Sequence, residues 1–303
     1  MINKQSISIV IITYNRPSDM LELAQNISML ENAELLADII IVNNHSSESY
    51  KTVEDYIETQ QHLPFRYYNT EKNLGVSGGR NYAIQKSTGS LLLFLDDDAL
   101  FHNMDALSQV NNIFSESGQI GIASFKVFYH STMQWQQTAF PHKQFEERKH
   151  LHHFETAYFV GCAHAISRSV FEKTGYYPED FFYGMEEYDL SYRAINQGFT
   201  IVYDDRVLIL HKESPEGRLP GKEKLRGMWV NKSKVAWKYL PKKYFYSTAL
   251  LWGYEYLRKT GLDRKGFVQG WRQVNAIPST VTRTPLHSEA LEYLRKVEAR
   301  LSY

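Results

Sequence analysis

Short, continuously apolar runs alternate with amphipathic stretches over residues 6–100, and this limits the fold more than any other feature. Residues 6–13 (SISIVIIT), 38–43 (DIIIVN) and 91–95 (LLLFL) read as strands buried on both faces, and 65–69 (FRYYN) as a fourth strand. Helical patterns stand between them. The first is opened by Ser18 or Asp19 and carries Met20, Leu21, Leu23, Ala24, Ile27 and Leu30 on its apolar face. Another covers 49–60, and a third covers 80–86, entered through a loop with Gly75, Gly78 and Gly79. The rhythm predicts right-handed crossovers in an α/β fold, a Rossmann-like, mostly parallel sheet flanked by helices. Such sheets bind ligands at the carboxyl ends of their strands, where the polar clusters 13–16, 43–46 and 96–98 all fall.

Past Asp98 the rhythm loosens. Ile120–Tyr129, 158–167, 200–203 and 207–210 read as strands, and 169–173 and 186–197 as helices, the second stopped by Gly198. The polar, His-rich stretch 130–155 reads as a loop or hairpin, with His150, His152 and His153 solvated in it. From Gly221 the patterns are helical, a C-terminal extension punctuated by Pro220, Pro241, Gly261 and Pro278. The expected organisation is a nucleotide-binding half (1–100), an acceptor-binding and catalytic half (101–220) and the helical extension (221–303).

Equal totals of 34 Lys/Arg and 34 Asp/Glu conceal an asymmetry: residues 212–273 hold fifteen basic side chains, five acidic ones and eleven aromatics. Two readings stand open for that stretch. Its helices could lie in a membrane interface with basic residues against anionic lipid, or pack onto the catalytic domain or a second subunit. No apolar run approaches eighteen residues, and the N-terminus runs into the first strand too soon for a signal peptide. The single cysteine, Cys162, excludes a disulfide framework and multi-cysteine metal sites. The expectation is a cytoplasmic protein, with room for a place at the inner face of the membrane.

Asp96, Asp97 and Asp98 end an apolar strand, where three like charges repel unless a cation or ligand neutralises them. The bland alternative is an acidic turn. Oxygen ligands suit Mg²⁺ or Mn²⁺, which are held by one or two carboxylates together with substrate phosphates. A nucleoside diphosphate is the ligand this predicts. No Gly-x-Gly-x-x-Gly follows the first strand, and no Walker-type Gly-Lys-Ser/Thr occurs, so dinucleotide and P-loop sites are not expected.

The strings IVIITYNRP, IIIVNNHSS, EKNLGVSGGRNYAI and LLLFLDDDA, in that order, resemble the nucleotide-sugar half of glycosyltransferase family 2 proteins of GT-A fold. FFYGMEEYDLSYRAINQGFTIVYDDRVLILH is similar to that family's acidic catalytic segment and trailing histidine, so the resemblance covers residues 6–211. It implies an inverting, Mn²⁺- or Mg²⁺-dependent transferase. The sugar would pass from a UDP- or dTDP-sugar donor to a glycan or lipid-linked saccharide in polysaccharide or cell-wall assembly, rhamnosyl-type transfer included.

Residue by residue, the resemblance makes Thr13, Tyr14, Arg16, Asn43, Gly78, Gly79, Arg80, Asn81, Asp96 and Asp97 contacts to the donor. Asn43 stands where the family usually has an aspartate that reads the base. Asp98 and His211 become metal ligands, and Arg218, in the loop after His211, a guanidinium for the diphosphate. Glu187 takes the general-base position, usually an aspartate, with Glu186 and Asp189 on the acceptor side. His164, in the strand after Gly161, reads equally as a lining of the acceptor pocket or as a satisfied core histidine. No nucleic-acid partner is implied, and a homo-oligomer remains open. Two rivals belong to other classes: a noncatalytic nucleotide- or glycan-binding scaffold of the same fold, and a nucleotidyltransferase. Slow donor hydrolysis without acceptor separates an enzyme from the scaffold.

Overall fold

The computed structural model describes residues 5–181, 184–214 and 221–301. Strands β1 (Ile7–Thr13), β2 (Leu36–Asn43), β3 (Phe65–Asn69) and β4 (Leu91–Asp96) are parallel, in the order β3-β2-β1-β4. Helices α1 (Pro17–Ile27), α2 (Lys51–Thr59) and α3 (Gly75–Lys86) make the crossovers. Pro17 rather than Ser18 or Asp19 opens α1: no side chain caps it, and the fixed φ of proline suits a first helical position.

Helix α3 begins at Gly75, so Gly78 and Gly79 lie inside it and not in a loop. A Cβ on Gly79 would stand 3.0 Å from Ile12 Cγ2, and one on Gly78 would stand 2.9 Å from Leu74 Cβ. Gly79, expected to admit the nucleotide, instead lets α3 approach β1 closely, and Gly78 leaves room for Leu74 at the start of the same helix, both at a cost in helix propensity.

The second half extends the same sheet. It contains β5 (Ala99–Phe101), α4 (Ala106–Glu116), β6 (Ile120–Tyr129), α5 (Phe145–Arg148) and β7 (His153–Thr156). It continues with β8 (Ala163–Ser167), α6 (Arg168–Thr174), α7 (Glu186–Asn196) and β9 (Thr200–His211). Beyond β4 the order is β8-β6-β9-β5, with β7 on β9; β8 is antiparallel to both neighbours, whereas β6 and β9 are parallel. The two strands expected at 200–203 and 207–210 are one, β9, bent at an irregularity opposite Phe125 and Lys126. One pairing matters most for function. β5, directly after the Asp96–Asp98 turn, pairs with the end of β9 and sets Ala99 opposite His211.

The extension is α8 (Gly221–Tyr239), α9 (Lys242–Lys259), α10 (Arg264–Thr280) and α11 (Ser288–Lys296). Its Trp229, Val274 and Leu294 share one continuous apolar cluster with Val10 and Phe94 of the sheet. A second cluster on the opposite face joins β1 to α1 and α4. Most aromatics of the basic stretch point inward: Trp229, Trp237, Tyr239, Phe245 and Tyr256 are buried, while Tyr246 and Tyr254 are exposed. Among the described residues no helix is long and apolar enough to cross a membrane.

Trp229 stacks near Phe267 and Tyr256, and Gly270 makes room for it: a Cβ there would lie 2.6 Å from Trp229 Cζ3. Overpacking outweighs the helix propensity that alanine would add. Gly270→Ala should therefore destabilise by about 1–3 kcal/mol, read as a lower denaturation midpoint at unchanged m-value.

Candidate active site

At the carboxyl edge of β1 and β4 lies a cleft of about 880 Å³. Three consecutive aspartates on one wall have three different fates. Asp97 turns inward and is buried. Arg16 Nη1 donates to its Oδ1 (2.7 Å) and Thr13 Oγ1 to its Oδ2 (2.7 Å), while the Arg16 backbone N–H donates to the Tyr50 hydroxyl, 2.6 Å from Thr13 Oγ1. Burial pushes the Asp97 carboxyl up to about 7 against the pull of Arg16. Thr13 and Arg16, expected to face the donor, are thus largely engaged in holding this turn, although both also line the cleft. Tyr14 lines it as well.

Asp96 opens toward the cleft, with Arg80 Nη2 3.5 Å from its Oδ1. Asp98 is buried: its Oδ2 accepts from Ser214 N (2.8 Å), and its Oδ1 faces His211 Nε2 at 3.2 Å. Burial opposes its ionisation, yet His211 and Arg16 hold its carboxyl down to about 2. The His211 ring is oriented by Gln136, whose Oε1 lies 2.9 Å from Nδ1. Its Nε2 is buried and makes no well-formed hydrogen bond among the described residues.

Ligand atoms of Asp96, Asp98 and His211 all lie within 4.8 Å of one another. Two carboxylates and an imidazole nitrogen aimed at one point fit a divalent cation, with Gln136 as the outer partner that fixes the ring.

The first turn of α7 faces this wall across the cleft. Gly184 and Met185, both at positive φ, turn the chain into α7 and point Glu186 and Glu187 at Arg80. Arg80 Nη1 is 3.7 Å from Glu186 Oε1 and 3.6 Å from Glu187 Oε1, while its Nη2 donates to Gly161 O (2.9 Å). Arg80 therefore bridges Asp96 and the glutamate pair rather than reaching for ribose or phosphate alone. Burial raises both glutamates; their mutual repulsion raises Glu186 further, and Arg80 offsets part of the rise at Glu187.

A Cβ on Gly161 would stand 2.3 Å from Glu187 Oε1, so only glycine admits the carboxylate here. Gly161→Ala should displace that carboxylate. Where Glu187 is the base that the resemblance implies, such a misplacement loses on the order of 10- to 100-fold in rate. Turnover should fall by that factor with donor affinity kept, checked by comparing turnover with donor titration.

Several expected contacts lie elsewhere. Asn43 is buried at the end of β2, donating to the Tyr67 hydroxyl (2.8 Å) and accepting from Ser46 N (3.0 Å), and its neighbour Asn44 lines the cleft in its place. Asn81 ties α3 to the backbone of Tyr177, donating to its O and accepting from its N. His164 is fully buried, stacked on Phe94 and bonded to Val160 O and the Tyr177 hydroxyl; burial holds it neutral, and it is a core residue rather than an acceptor contact. Asp189 is also buried and fully engaged by Arg193 (2.7 Å), Lys238 and the Tyr239 hydroxyl (2.8 Å), so it anchors α8 to α7 instead of binding an acceptor. Arg218 lies outside the described residues.

The sequence did not single out Gln136, Gly161 or Asn44, nor Tyr158, which stacks on Tyr188 at 4.5 Å on the rim beside Glu187. Lys224 and Met228 of α8 complete that rim, so the extension forms part of the cleft wall.

Residues 8–175 match the family model described as glycosyl transferase family 2. An uncharacterized protein of Haemophilus influenzae is 28% identical over 179 residues, which is 58% of this chain and 95% of that protein. The structure of GalNAc-T7 with UDP, GalNAc and Mn²⁺ superposes with a TM-score of 0.66 at 16% identity, covering 92% of this chain and 58% of that one. A mannosyltransferase of Pyrobaculum calidifontis in complex with GDP-Man and Mn²⁺ gives 0.60 at 16%, covering 96% and 79%. At these identities the likeness shows a shared fold, the GT-A arrangement of a mostly parallel sheet flanked by helices.

Proposed function

Because the chain belongs to glycosyl transferase family 2, we propose that its cleft carries out inverting, metal-dependent transfer of a hexosyl or deoxyhexosyl unit. The donor is a UDP- or dTDP-sugar, and the acceptor is a glycan or lipid-linked saccharide of a polysaccharide pathway. One observation carries the reading. A cation-binding set, Asp96, Asp98 and His211, and a carboxylate pair, Glu186 and Glu187, face one cleft from separate elements, with Arg80 between them.

Glu187 takes the proton of the acceptor hydroxyl as its oxygen attacks the anomeric carbon. The bond from that carbon to the diphosphate oxygen breaks on the opposite side, and the electron pair leaves with the nucleotide. A divalent cation, when bound by Asp96, Asp98 and His211, supplies Lewis-acid neutralisation of the diphosphate charge. Glu186, kept protonated more readily by its burial, adds no second full charge beside the base. Tyr158 and Tyr188 offer stacked rings for an acceptor sugar face.

The test is donor hydrolysis without acceptor. With Mn²⁺ present, one of the UDP-, dTDP- or GDP-sugars should slowly release its nucleoside diphosphate, and release from none of them would favour the scaffold. A pH profile adds a second check. Burial raises Glu187 and only its ionised form accepts a proton, so the rate should climb with pH through a limb above the ordinary glutamate range. A limb at the ordinary value would move the base to a solvated carboxylate.

A further inference from the structure

We infer that the outer face of α9 is a seat for an anionic lipid surface. Tyr246, Leu250 and Tyr254 recur every four residues and share one side of the helix, with Leu251 beside them. All four are exposed, Leu250 at 62% and Tyr254 at 68%. The opposite side, with Phe245, Ala249, Gly253 and Tyr256, is buried in the extension. Scattered exposed apolar side chains are ordinary on a surface, but a contiguous row along one helix face marks an interaction site. Leu262, in the turn after α9, is also exposed, at 65%.

Charge decides the partner. Lys242 and Lys243 stand at one end of the row, Arg258 and Lys259 at the other, and Arg264 and Lys265 follow at the start of α10; all six are exposed. Between 242 and 273 the acids are Glu255 and Asp263, and both are engaged. Glu255 pairs with Arg258 and Lys259, and Asp263 accepts from Gly266 N and the Tyr256 hydroxyl. A second copy docked by a two-fold axis would bring basic clusters face to face. Anionic headgroups neutralise them, while leucines reach the acyl boundary and tyrosines sit at headgroup level.

The seat also has a functional position. The indole N–H of Trp229 in α8 donates to Ala249 O of α9 (2.9 Å), while Met228, the preceding residue of α8, lines the cleft. One helix layer therefore separates the membrane face from the cleft wall. On the transferase reading a lipid-linked acceptor is the substrate such a seat would serve, whereas the seat itself rests on the surface of α9.

Flotation of the full chain tests it, using vesicles of phosphatidylcholine alone and of phosphatidylcholine with phosphatidylglycerol. The chain should float with the anionic vesicles at low salt, and binding should fall on the order of tenfold or more at high salt. The double variant Leu250→Glu/Tyr254→Glu should lose binding to the same degree while keeping its melting temperature and its donor hydrolysis. Should that variant melt early, Lys242→Glu/Lys243→Glu/Lys265→Glu is the second probe, with the same loss expected. Absence of flotation at low salt, or equal binding to pure phosphatidylcholine, overturns the inference. So does a wild-type dimer that Leu250→Glu/Tyr254→Glu converts to monomer, because it assigns the face to a second copy. Flotation needs no donor, so failure of the transferase reading leaves this result interpretable.

Discussion

Glu187→Gln should bind donor as the wild type does and transfer sugar about 10²- to 10⁴-fold more slowly, the usual contribution of a general base. The amide is isosteric and keeps a hydrogen-bond acceptor for Arg80, whose Nη1 lies 3.6 Å from the carboxylate. Packing at Gly161 is likewise unchanged, because the side chain keeps its size. Loss should therefore fall on turnover and not on donor affinity. Near wild-type turnover would move the role to Glu186, since Asp189 is already engaged by Arg193, Lys238 and Tyr239.

Asp98→Asn should remove most of the Mn²⁺-dependent part of donor binding, on the order of 10²- to 10³-fold. Outer-shell changes at metal sites already weaken binding by 10- to 100-fold, and this change removes a ligand charge. The readout is the shift in melting temperature that donor produces with and without Mn²⁺. An undiminished shift would take Asp98 out of the metal site. Asparagine is the right probe because Asp98 is not the surface carboxylate that a strand end suggests. It is buried against His211, Arg16 and Ser214 N, and alanine there would strip two basic groups of a partner.

The parallel half of the fold was legible because strands buried on both faces carry their signal locally, in runs such as SIVIIT and LLLFL. Strands β5 and β7 were not. They have three and four residues, and each exists because the remote β9 offers it an edge. The site divides in the same way. Asp96–Asp98 and the acids at 186–189 announced themselves as clustered charge. Asn43 and Asn44 could not be told apart from sequence, because adjacent residues at a strand end point in different directions and only one meets the cleft. Gln136 and Gly161 gave no signal at all. Their roles are set by where the His211 ring and the Glu187 carboxylate arrive in space. His164 was ambiguous for a related reason: its strand alternates, and its side belongs to the core.

The pairing of β5 with the end of β9 also fixes when, during folding, the protein can first hold a ligand. Asp98 and Ser214 are 116 positions apart in the chain, and nothing nearer in sequence can stand in for that contact. Closing so large a loop is slow compared with forming the local β1–α1–β2 unit. Cation and nucleotide competence should therefore be a late acquisition, gained after the intrinsic tryptophan signal of collapse. Refolding followed by both signals would show the lag, and simultaneous recovery would mean that the ends of the site meet early.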